Sequence, residues 1–315
     1  MHKFIGRYAI FMHKTYRAEV QTDTFSSRMG IFIRATTIII MQKLFFSGAL
    51  LLCLGLAIQS CKKENIGINN TDKMTAEDLM AHNDLSEQLD IDTDEALDGF
   101  MSNDVEERND CPVVTFQQPK GTWPNTITLD YSDAGCTKGG HTYKGKIVIT
   151  QTNPMNVTGA VRSLSFENFF IEGVQVSGTK TVTQVGLNTA GLPKFNVVAD
   201  ETLTFPDGTT ATHKANRERT QTEGSTTAVR LDDVWTITGA ASGVNRQGNA
   251  YTVTYTTPLV KRNPCAWISE GVITFEVNNL VRTLDFGDGT CDRDATITLA
   301  DGTVKNVKIR HHWWK

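Results

Sequence analysis

Apolar and polar residues alternate along much of the chain beyond residue 111. The alternation recurs in short segments rich in Thr, Val, Ile, Phe and Tyr, such as TITLDY at 126–131, KGKIVIT at 144–150 and GVITFEV at 271–277. A period of two residues is typical of strands that bury one face and expose the other to water. The pattern predicts roughly a dozen antiparallel strands.

Turn-forming dipeptides separate these segments, and no stretch between them has the sustained 3.6-residue periodicity of a helix. The dipeptides are Asp207-Gly208, Gln247-Gly248, Asn278-Asn279, Asp288-Gly289 and Asp301-Gly302. Short strands joined by tight turns are typical of sandwiches and barrels. We therefore expect residues 111–315 to form one all-β domain of antiparallel sheets, arranged as a sandwich or a barrel-like sheet.

The stretch 61–110 has a different composition. It carries four Lys and Arg residues against fifteen Asp and Glu residues and few large apolar side chains. Such a composition buries little surface, so we expect an acidic tether that is solvated and only partly helical. The segment MTAEDLMAHNDLSEQL at 74–89 predicts a short helix within the tether, with Thr75 as a candidate N-cap.

An apolar run precedes the acidic stretch and ends at a cysteine. Residues 41–60 hold Lys43, then a mainly apolar segment at 44–58, and Cys61 follows. The run is short for a membrane-spanning helix and has the layout of a signal peptide. Residues 57–61, AIQSC, resemble a bacterial lipobox, which implies cleavage before Cys61 and acylation of its thiol. The alternatives are an ordinary signal peptide and an uncleaved anchor.

The first 40 residues come before this leader. Signal peptides begin close to the initiator, so translation from Met41 is the simplest account, and a true N-terminal extension is the alternative. Either way we expect residues 1–60 to lie outside the mature fold. Two acyl chains on Cys61 would attach the protein stably to a membrane, at the outer membrane or the cell surface.

Two nine-residue segments of the β domain are similar to each other. Thr128–Cys136, TLDYSDAGC, matches Thr283–Cys291, TLDFGDGTC, at five identical positions, and an earlier cysteine precedes each segment. This similarity predicts two weakly related halves.

The midpoint of Cys111 and Cys136 falls in the turn-forming cluster GTWPN, and that of Cys265 and Cys291 falls at Asn278-Asn279. Residues equidistant from a hairpin turn face each other, which favours the disulfides Cys111–Cys136 and Cys265–Cys291 in an exported protein. Crossed pairing, free thiols and metal binding are the alternatives.

The second of these segments is rich in aspartate. Asp285, Asp288, Asp292 and Asp294 carry the oxygen ligands that Ca²⁺ prefers. Their spacing is not that of an EF-hand loop, and Asp-Gly is common in hairpin turns. We therefore interpret the segment as a turn beside a disulfide and predict no metal site and no cofactor.

Residues 111–315 also resemble a known group of proteins. The segments CPVVTF, TITLDYSDAGC, YKGKIVIT, VQVSGTKTVT and TLDFGDGTCD are similar to those of an uncharacterised group of Bacteroidota lipoproteins. The resemblance implies export and a β-rich domain. It implies no activity and no catalytic residue.

Candidate chemistry in the exported part is sparse. His141, His213, His311 and His312 are the only histidines of residues 111–315, and no nucleophile-elbow or zinc-helix motif accompanies them. His141, in a Gly-rich loop, is expected to be a solvent-exposed turn residue. The near-neutral charge of residues 111–315 also argues against nucleic acid as a partner.

Aromatic side chains are the other candidates. Trp123, Trp235, Trp267, Phe169 and Phe170 could form a platform for a sugar or a peptide, or they could belong to the core. We therefore expect a lipid-anchored envelope protein that is a non-catalytic binding or structural module, with a glycan or a protein as its ligand. The alternative is an envelope hydrolase acting on glycan or peptide.

Overall fold

The computed structural model describes residues 68–101, 111–224 and 230–309. Within these ranges, one long helix, α1, comes first and fourteen strands follow. The elements are α1 (Asn70–Met101), β1 (Val113–Phe116), β2 (Asn125–Asp130), β3 (Cys136–Lys138), β4 (His141–Gln151), β5 (Val161–Ile171), β6 (Val174–Leu187), β7 (Pro193–Thr204), β8 (Thr210–Glu223), a 3-10 turn (Arg230–Asp232), β9 (Val234–Val244), β10 (Ala250–Arg262), β11 (Ile268–Val277), β12 (Leu280–Asp288), β13 (Asp294–Thr298) and β14 (Val304–Lys308). The predicted all-β class is confirmed.

The strands form a single antiparallel sheet in chain order. Only β3 leaves this path, since it pairs with β4 alone. Strands β1 and β14 each have one neighbour, so the sheet is open rather than closed into a barrel. Along most strands buried and exposed residues alternate, as in β4, because one face of the sheet packs inward and the other meets water.

Glycines sit where neighbouring strands come unusually close. Gly145 has a φ of 81° and lies at a register shift between β4 and β5. A Cβ there would stand 2.0 Å from the carbonyl oxygen of Asn168. Gly178, in β6, has a φ of 106°, and a Cβ there would stand 2.0 Å from the carbonyl oxygen of Asp200. Such positions bend strands, and bent strands let the sheet curl.

Helix α1 lies against the concave face of the sheet. Most of its side chains between Asp72 and Leu97 are buried, polar ones included. The first half of the helix packs against a cluster from β7 to β14 that contains Ile273 and Phe275. The second half packs against a cluster from β2 to β8 that contains Tyr143 and Phe169. The sheet therefore wraps around the helix, and the helix joins its two apolar clusters.

The prediction of a solvated tether is wrong for residues 70–101, which form a helix 32 residues long that is mostly buried. Its start also differs from the prediction. Asn69 caps the helix by accepting a hydrogen bond at 2.8 Å from the backbone N–H of Asp72. Thr75 lies one turn inside, where its hydroxyl donates to the carbonyl of Thr71 at 2.7 Å. Over the ranges that the structure describes, no helix combines the length and apolar character that crossing a membrane needs.

Both predicted disulfides are confirmed. Cys111 and Cys136 have Cα atoms 5.8 Å apart, and Cys265 and Cys291 have Cα atoms 5.6 Å apart. The predicted turn at Asn278-Asn279 is also confirmed, since both residues have positive φ and Val277 pairs with Leu280 across the hairpin. The first bridge forms differently from the prediction: Cys136 belongs to β3, beyond the end of the β1–β2 ladder.

Removing either bridge is expected to lower the free energy of unfolding by about 3 kcal/mol, because each closes a loop of roughly 25 residues in the unfolded chain. The Cys265→Ala/Cys291→Ala protein should show this loss in equilibrium denaturation. Wild-type protein treated with a thiol reductant is the control and should lose about twice as much. A loss below about 0.5 kcal/mol would contradict the expectation.

Candidate functional site

Opposite charges join the helix to the sheet. Each ion pair found between α1 and the described sheet joins a helix carboxylate to a cation of the sheet or its turns. The pairs are Asp72–Arg282, Glu77–Arg246, Asp78–Arg246, Glu87–Arg219, Asp90–Lys180, Asp90–Arg219, Asp92–Lys138, Glu95–Lys138 and Asp94–Arg162. The acidic composition of the helix therefore matches the basic residues of the surface around it.

Lys180 lies at the centre of this contact. Its side chain is fully buried, and its Nζ donates to the carbonyl of Ser86 at 2.6 Å and to Oδ1 of Asp90 at 2.7 Å. A buried ammonium is tolerated only when it is paired and hydrogen-bonded in this way. Arg217, on β8, extends the contact by donating to the hydroxyl of Ser86 and to Oδ1 of Asn83.

Two titratable side chains that interact with Lys180 or Arg217, those of Glu201 and His82, make no hydrogen bond among the described residues. Glu201 is fully buried on β7, and neither carboxylate oxygen has a hydrogen-bond partner among the described residues. Burial raises the pKa of Glu201 to about 7, although the charges of Lys180 and Arg217 oppose the shift. His82 stacks on His213 with ring centroids 4.6 Å apart, and burial lowers the pKa of His82 to about 3. Burial therefore favours the neutral form of both groups.

The buried carboxyl predicts a pH-dependent stability. An acid whose pKa is higher in the folded state stabilises the fold below its unfolded pKa, here 4.5, and this contribution is lost as the pH rises through about 7. Glu201→Gln should therefore leave the free energy of unfolding unchanged at pH 4 and raise it by about 3 kcal/mol at pH 8.

Glu276→Gln is the matched control, because Glu276 is exposed on the outer face of β11. Urea denaturation of the three proteins at both pH values measures the effect. Equal stabilities of Glu201→Gln and wild type at pH 8 would show that the carboxyl is ionised without cost.

A cleft opens beside the second half of the helix. Its volume is about 420 Å³, within the range of small-molecule sites. The lining consists of helix residues and of side chains near the ends of β4–β9, together with the turn before β2. The lining residues are Asp90, Asp94, Leu97, Trp123, Gln151, Pro154, Met155, Asn156, Arg162, Val182, Pro193, Phe195, Arg219, Gln221, Asp233 and Trp235. We call this site the helix-end cleft.

Arg162 fixes one part of the cleft wall. Its Nε donates to Oε1 of Gln151 at 2.8 Å, and its NH1 donates to Oδ1 of Asp94 at 2.7 Å. The guanidinium therefore joins the sheet to the helix by one hydrogen bond to Gln151 of β4 and one to Asp94 of α1. Such charge-assisted bonds hold side chains in one orientation, which is what a preformed site needs.

Arg219 fixes another part. Its guanidinium lies over the ring of Trp235, 4.0 Å from the centroid, and Phe195 is tilted against the same indole with ring centroids 5.8 Å apart. Cation–π contact of this kind is stabilising when the pair is shielded from water. The other side of the guanidinium approaches Glu87 at 3.5 Å and Asp90 at 3.8 Å. The aromatic part of the cleft is thus tied to the helix.

The carboxylates of the cleft are already engaged. Asp94 accepts from Arg162, Asp90 accepts from Lys180, and Asp233 accepts from Gln221 at 2.7 Å. A pair of catalytic carboxylates needs one member that is free to give a proton and one that is free to attack or activate water. The cleft presents its carboxylates as structural partners instead.

The structure brings together only some of the candidates named from sequence. Trp123 and Trp235 both line the cleft, whereas Phe169 is fully buried in the core. Trp267 packs beside the C-terminal apolar cluster, and Phe170 lies under the Lys144 ammonium at 5.7 Å from the ring centroid. The predicted aromatic platform is therefore reduced to two tryptophans, to which Phe195 is added.

The other candidates lie elsewhere. His141 is buried at the start of β4, 3.9 Å from Glu172, so the expected solvent-exposed turn histidine is wrong. Cys61, His311 and His312 lie outside the described residues.

Local turns and one strand pair are stabilised by the four aspartates once considered as Ca²⁺ ligands, Asp285, Asp288, Asp292 and Asp294. Asp285, Asp288 and Asp292 accept hydrogen bonds from backbone N–H groups two residues later, and Asp294 pairs with Lys308. These contacts are those of turns and of a strand pair, which supports the turn interpretation of the segment.

Sequence reasoning missed the charged residues that build the site. Lys180, Arg217 and Arg219 stand at inward positions of strands, where the alternation alone gave no reason to expect charges. A signal was present in the acidic excess of residues 70–101, which hold ten Asp and Glu residues against one Lys, but no single motif reveals its partners. Comparisons with protein-family models, with characterised proteins and with solved structures found no match to this chain.

Proposed function

We propose that this protein is a lipid-anchored binding protein of the bacterial envelope, attached through Cys61 and binding its ligand in the helix-end cleft. The leader pattern at 41–60 and the cysteine after it support the anchor. Two disulfides in the β domain suit an exported protein, because thiols oxidise outside the cytoplasm.

The observation that carries the binding role is the cleft itself. It combines aromatic rings, planar polar groups and apolar side chains in one concavity of about 420 Å³. Ligand sites have this composition, with apolar walls and a few fixed polar groups that orient the ligand. The engaged carboxylates favour binding over hydrolysis.

The anchor is tested by mass spectrometry of the protein purified from a bacterial membrane fraction. We expect a mature chain that begins at Cys61 and carries a diacylglycerol thioether, with or without a further acyl chain on its amino group. Cys61→Ala protein should be found in the soluble fraction or with an uncleaved leader. An unmodified thiol at Cys61 in the wild-type protein would overturn the anchor.

The binding role is tested by ligand-dependent stabilisation. A mixed panel of soluble oligosaccharides, short peptides and small metabolites is screened for compounds that raise the melting temperature, as ligands of the folded state must. At least one compound should stabilise the wild type and Trp267→Ala but not Trp123→Ala. These variants are matched, since both tryptophans are half-buried and only Trp123 lines the cleft. A panel with no stabilising compound, or equal stabilisation of both variants, would overturn the proposal.

A further inference from the structure

We infer that the ligand of the helix-end cleft is a neutral oligosaccharide. This inference rests on the proposed binding function and adds the chemical class of the ligand. Four properties of the cleft lead to it: the balance of its charges, the placement of its aromatic rings, the pairing of its strands and the polarity of its lining.

The charges of the cleft are balanced within the protein. Its lining holds three carboxylates and two guanidinium groups, and the buried Lys180, which pairs with Asp90, supplies a third cation. Asp94 lies 2.7 Å from Arg162, and Asp90 lies 3.8 Å from Arg219. An anionic ligand would compete with carboxylates for each arginine, and a cationic ligand would compete with arginines for the carboxylates. Since breaking a shielded ion pair is costly, the cleft favours a ligand without net charge.

Two accessible aromatic rings stand apart on the cleft wall. Trp123, just before β2, and Phe195, on β7, are both half-buried, whereas Trp235 is almost fully covered. The order β2-β4-β5-β6-β7 puts four strand spacings between them, about 19 Å along the curved sheet. A flat C–H face packs well on an aromatic ring. The two rings come from separate elements of the cleft wall, and an oligosaccharide offers several flat C–H faces that can pack on both of them.

The strands that line the cleft have no free edge. Strands β4 to β9 are each paired on both sides, so their backbone N–H and C=O groups are already used in the sheet. An extended peptide gains much of its affinity by adding a strand to an exposed edge. That mode of recognition is unavailable here.

The lining also differs from that of a lipid site. Arg162, Asp94, Gln151 and Gln221 place charged and amide groups in the cleft. An acyl chain would desolvate them without offering hydrogen bonds, which is unfavourable. Hydroxyl groups both donate and accept hydrogen bonds, so a sugar can replace the water that these groups lose.

The test is isothermal titration of the full mature chain, carrying Cys61→Ala for solubility. The neutral probes are the hexasaccharides of glucose in α-1,4 and β-1,4 linkage, of xylose and of mannose, followed by a wider array of neutral glycans. The other probes are a tetragalacturonate, hexaalanine and lauric acid. We expect at least one neutral glycan to bind, and we expect the galacturonate, the peptide and the fatty acid not to bind.

Substitutions in the cleft show whether the neutral glycan binds there. Trp123→Ala and Phe195→Ala should each weaken the neutral glycan by at least about tenfold, while Trp267→Ala leaves its affinity unchanged. Two cleft variants are used so that one misfolded protein does not decide the result, and circular dichroism establishes which variants are folded. Unchanged affinity in both folded cleft variants would overturn the site.

The remaining outcomes separate the inference from the proposed function. Binding of the galacturonate alone, with loss in Trp123→Ala, would show that the saccharide is not neutral and overturn the inference. Binding of the peptide or the fatty acid alone, with the same loss, would overturn the saccharide assignment. Either result leaves the cleft as a binding site. Binding of no neutral glycan also overturns the assignment. Binding of no probe of any class, together with no stabilising compound in the thermal panel, removes the binding function as well.

Discussion

Removal of residues 70–101 is expected to leave the β-sheet unable to fold. Five large apolar side chains of α1 are almost fully buried against the sheet, namely Leu79, Met80, Leu85, Leu89 and Leu97. At about 2 kcal/mol each, their burial contributes roughly 10 kcal/mol, which is comparable to the whole stability of a typical domain. The deletion would also leave Lys180, Arg217 and Arg282 facing water without their partners on the helix.

The comparison uses two chains that both retain the two disulfides. The first begins at residue 68 and should give a strand-rich circular dichroism spectrum and a cooperative thermal transition. The second replaces 70–101 by a Gly-Ser linker of equal length and should give neither. Addition of a synthetic 68–101 peptide to the second chain should restore the transition. A folded second chain would show that the sheet does not need the helix in order to fold.

Lys180→Met is expected to lower the free energy of unfolding by about 3–5 kcal/mol. The substitution removes the ammonium from a fully buried position and leaves the carboxylate of Asp90, 7% exposed, with Arg219 at 3.8 Å as its remaining cation. Most of the loss comes from the unpaired charge rather than from the attraction itself. The double variant Lys180→Met/Asp90→Leu should therefore recover more than half of it.

The same chain provides a surface control. Lys214 and Asp200 form an ion pair at 2.9 Å on the outer face of β8 and β7, where both side chains are more than half exposed. Lys214→Met should cost less than about 1 kcal/mol, since exposed pairs contribute little. Chemical denaturation of wild type, Lys180→Met, Asp90→Leu and the double variant closes the double-mutant cycle, and Lys214→Met is measured beside them. A loss at Lys180 no larger than that at Lys214 would contradict a desolvated helix contact.

The strands were predictable because their pattern depends on nearest neighbours. Alternation in TITLDY and GVITFEV becomes β2 and β11, and Asn278-Asn279 becomes the hairpin turn between β11 and β12. The Cys265–Cys291 disulfide followed from the same hairpin geometry, whereas Cys111 bonds to Cys136 of β3, outside the β1–β2 ladder. Nothing local distinguishes a sandwich from one open sheet, because that outcome depends on what fills the concave face.

The helix was misjudged for a physical reason. A segment with many carboxylates and few large apolar residues is expected to stay solvated when its surroundings are unknown. Here Lys180, Arg217 and Arg219 supply the opposite charges, and they come from strands more than 80 residues away along the chain. A sequence segment too short to contain both charged partners cannot show that their charges are complementary.

The cleft was predictable only in part. Trp123 and Trp235 were among the candidate aromatic residues, but their sequence context did not separate them from Trp267, which lies outside the cleft. The distinction depends on which strand ends meet the second half of α1. The roles of Arg162 and Asp94 depend on the same meeting, because the two residues come together only when the sheet closes on the helix.

The direction of α1 separates the proposed anchor from the proposed binding site. Cys61, the proposed attachment point, precedes Asn70 by nine residues, and a chain of this length spans at most about 30 Å. From Asn70 to Leu97 the helix rises about 40 Å. Under the proposal, the lipid is attached before the first turn of α1 and the helix-end cleft lies beside its second half, so attachment through Cys61 would leave the cleft free to bind.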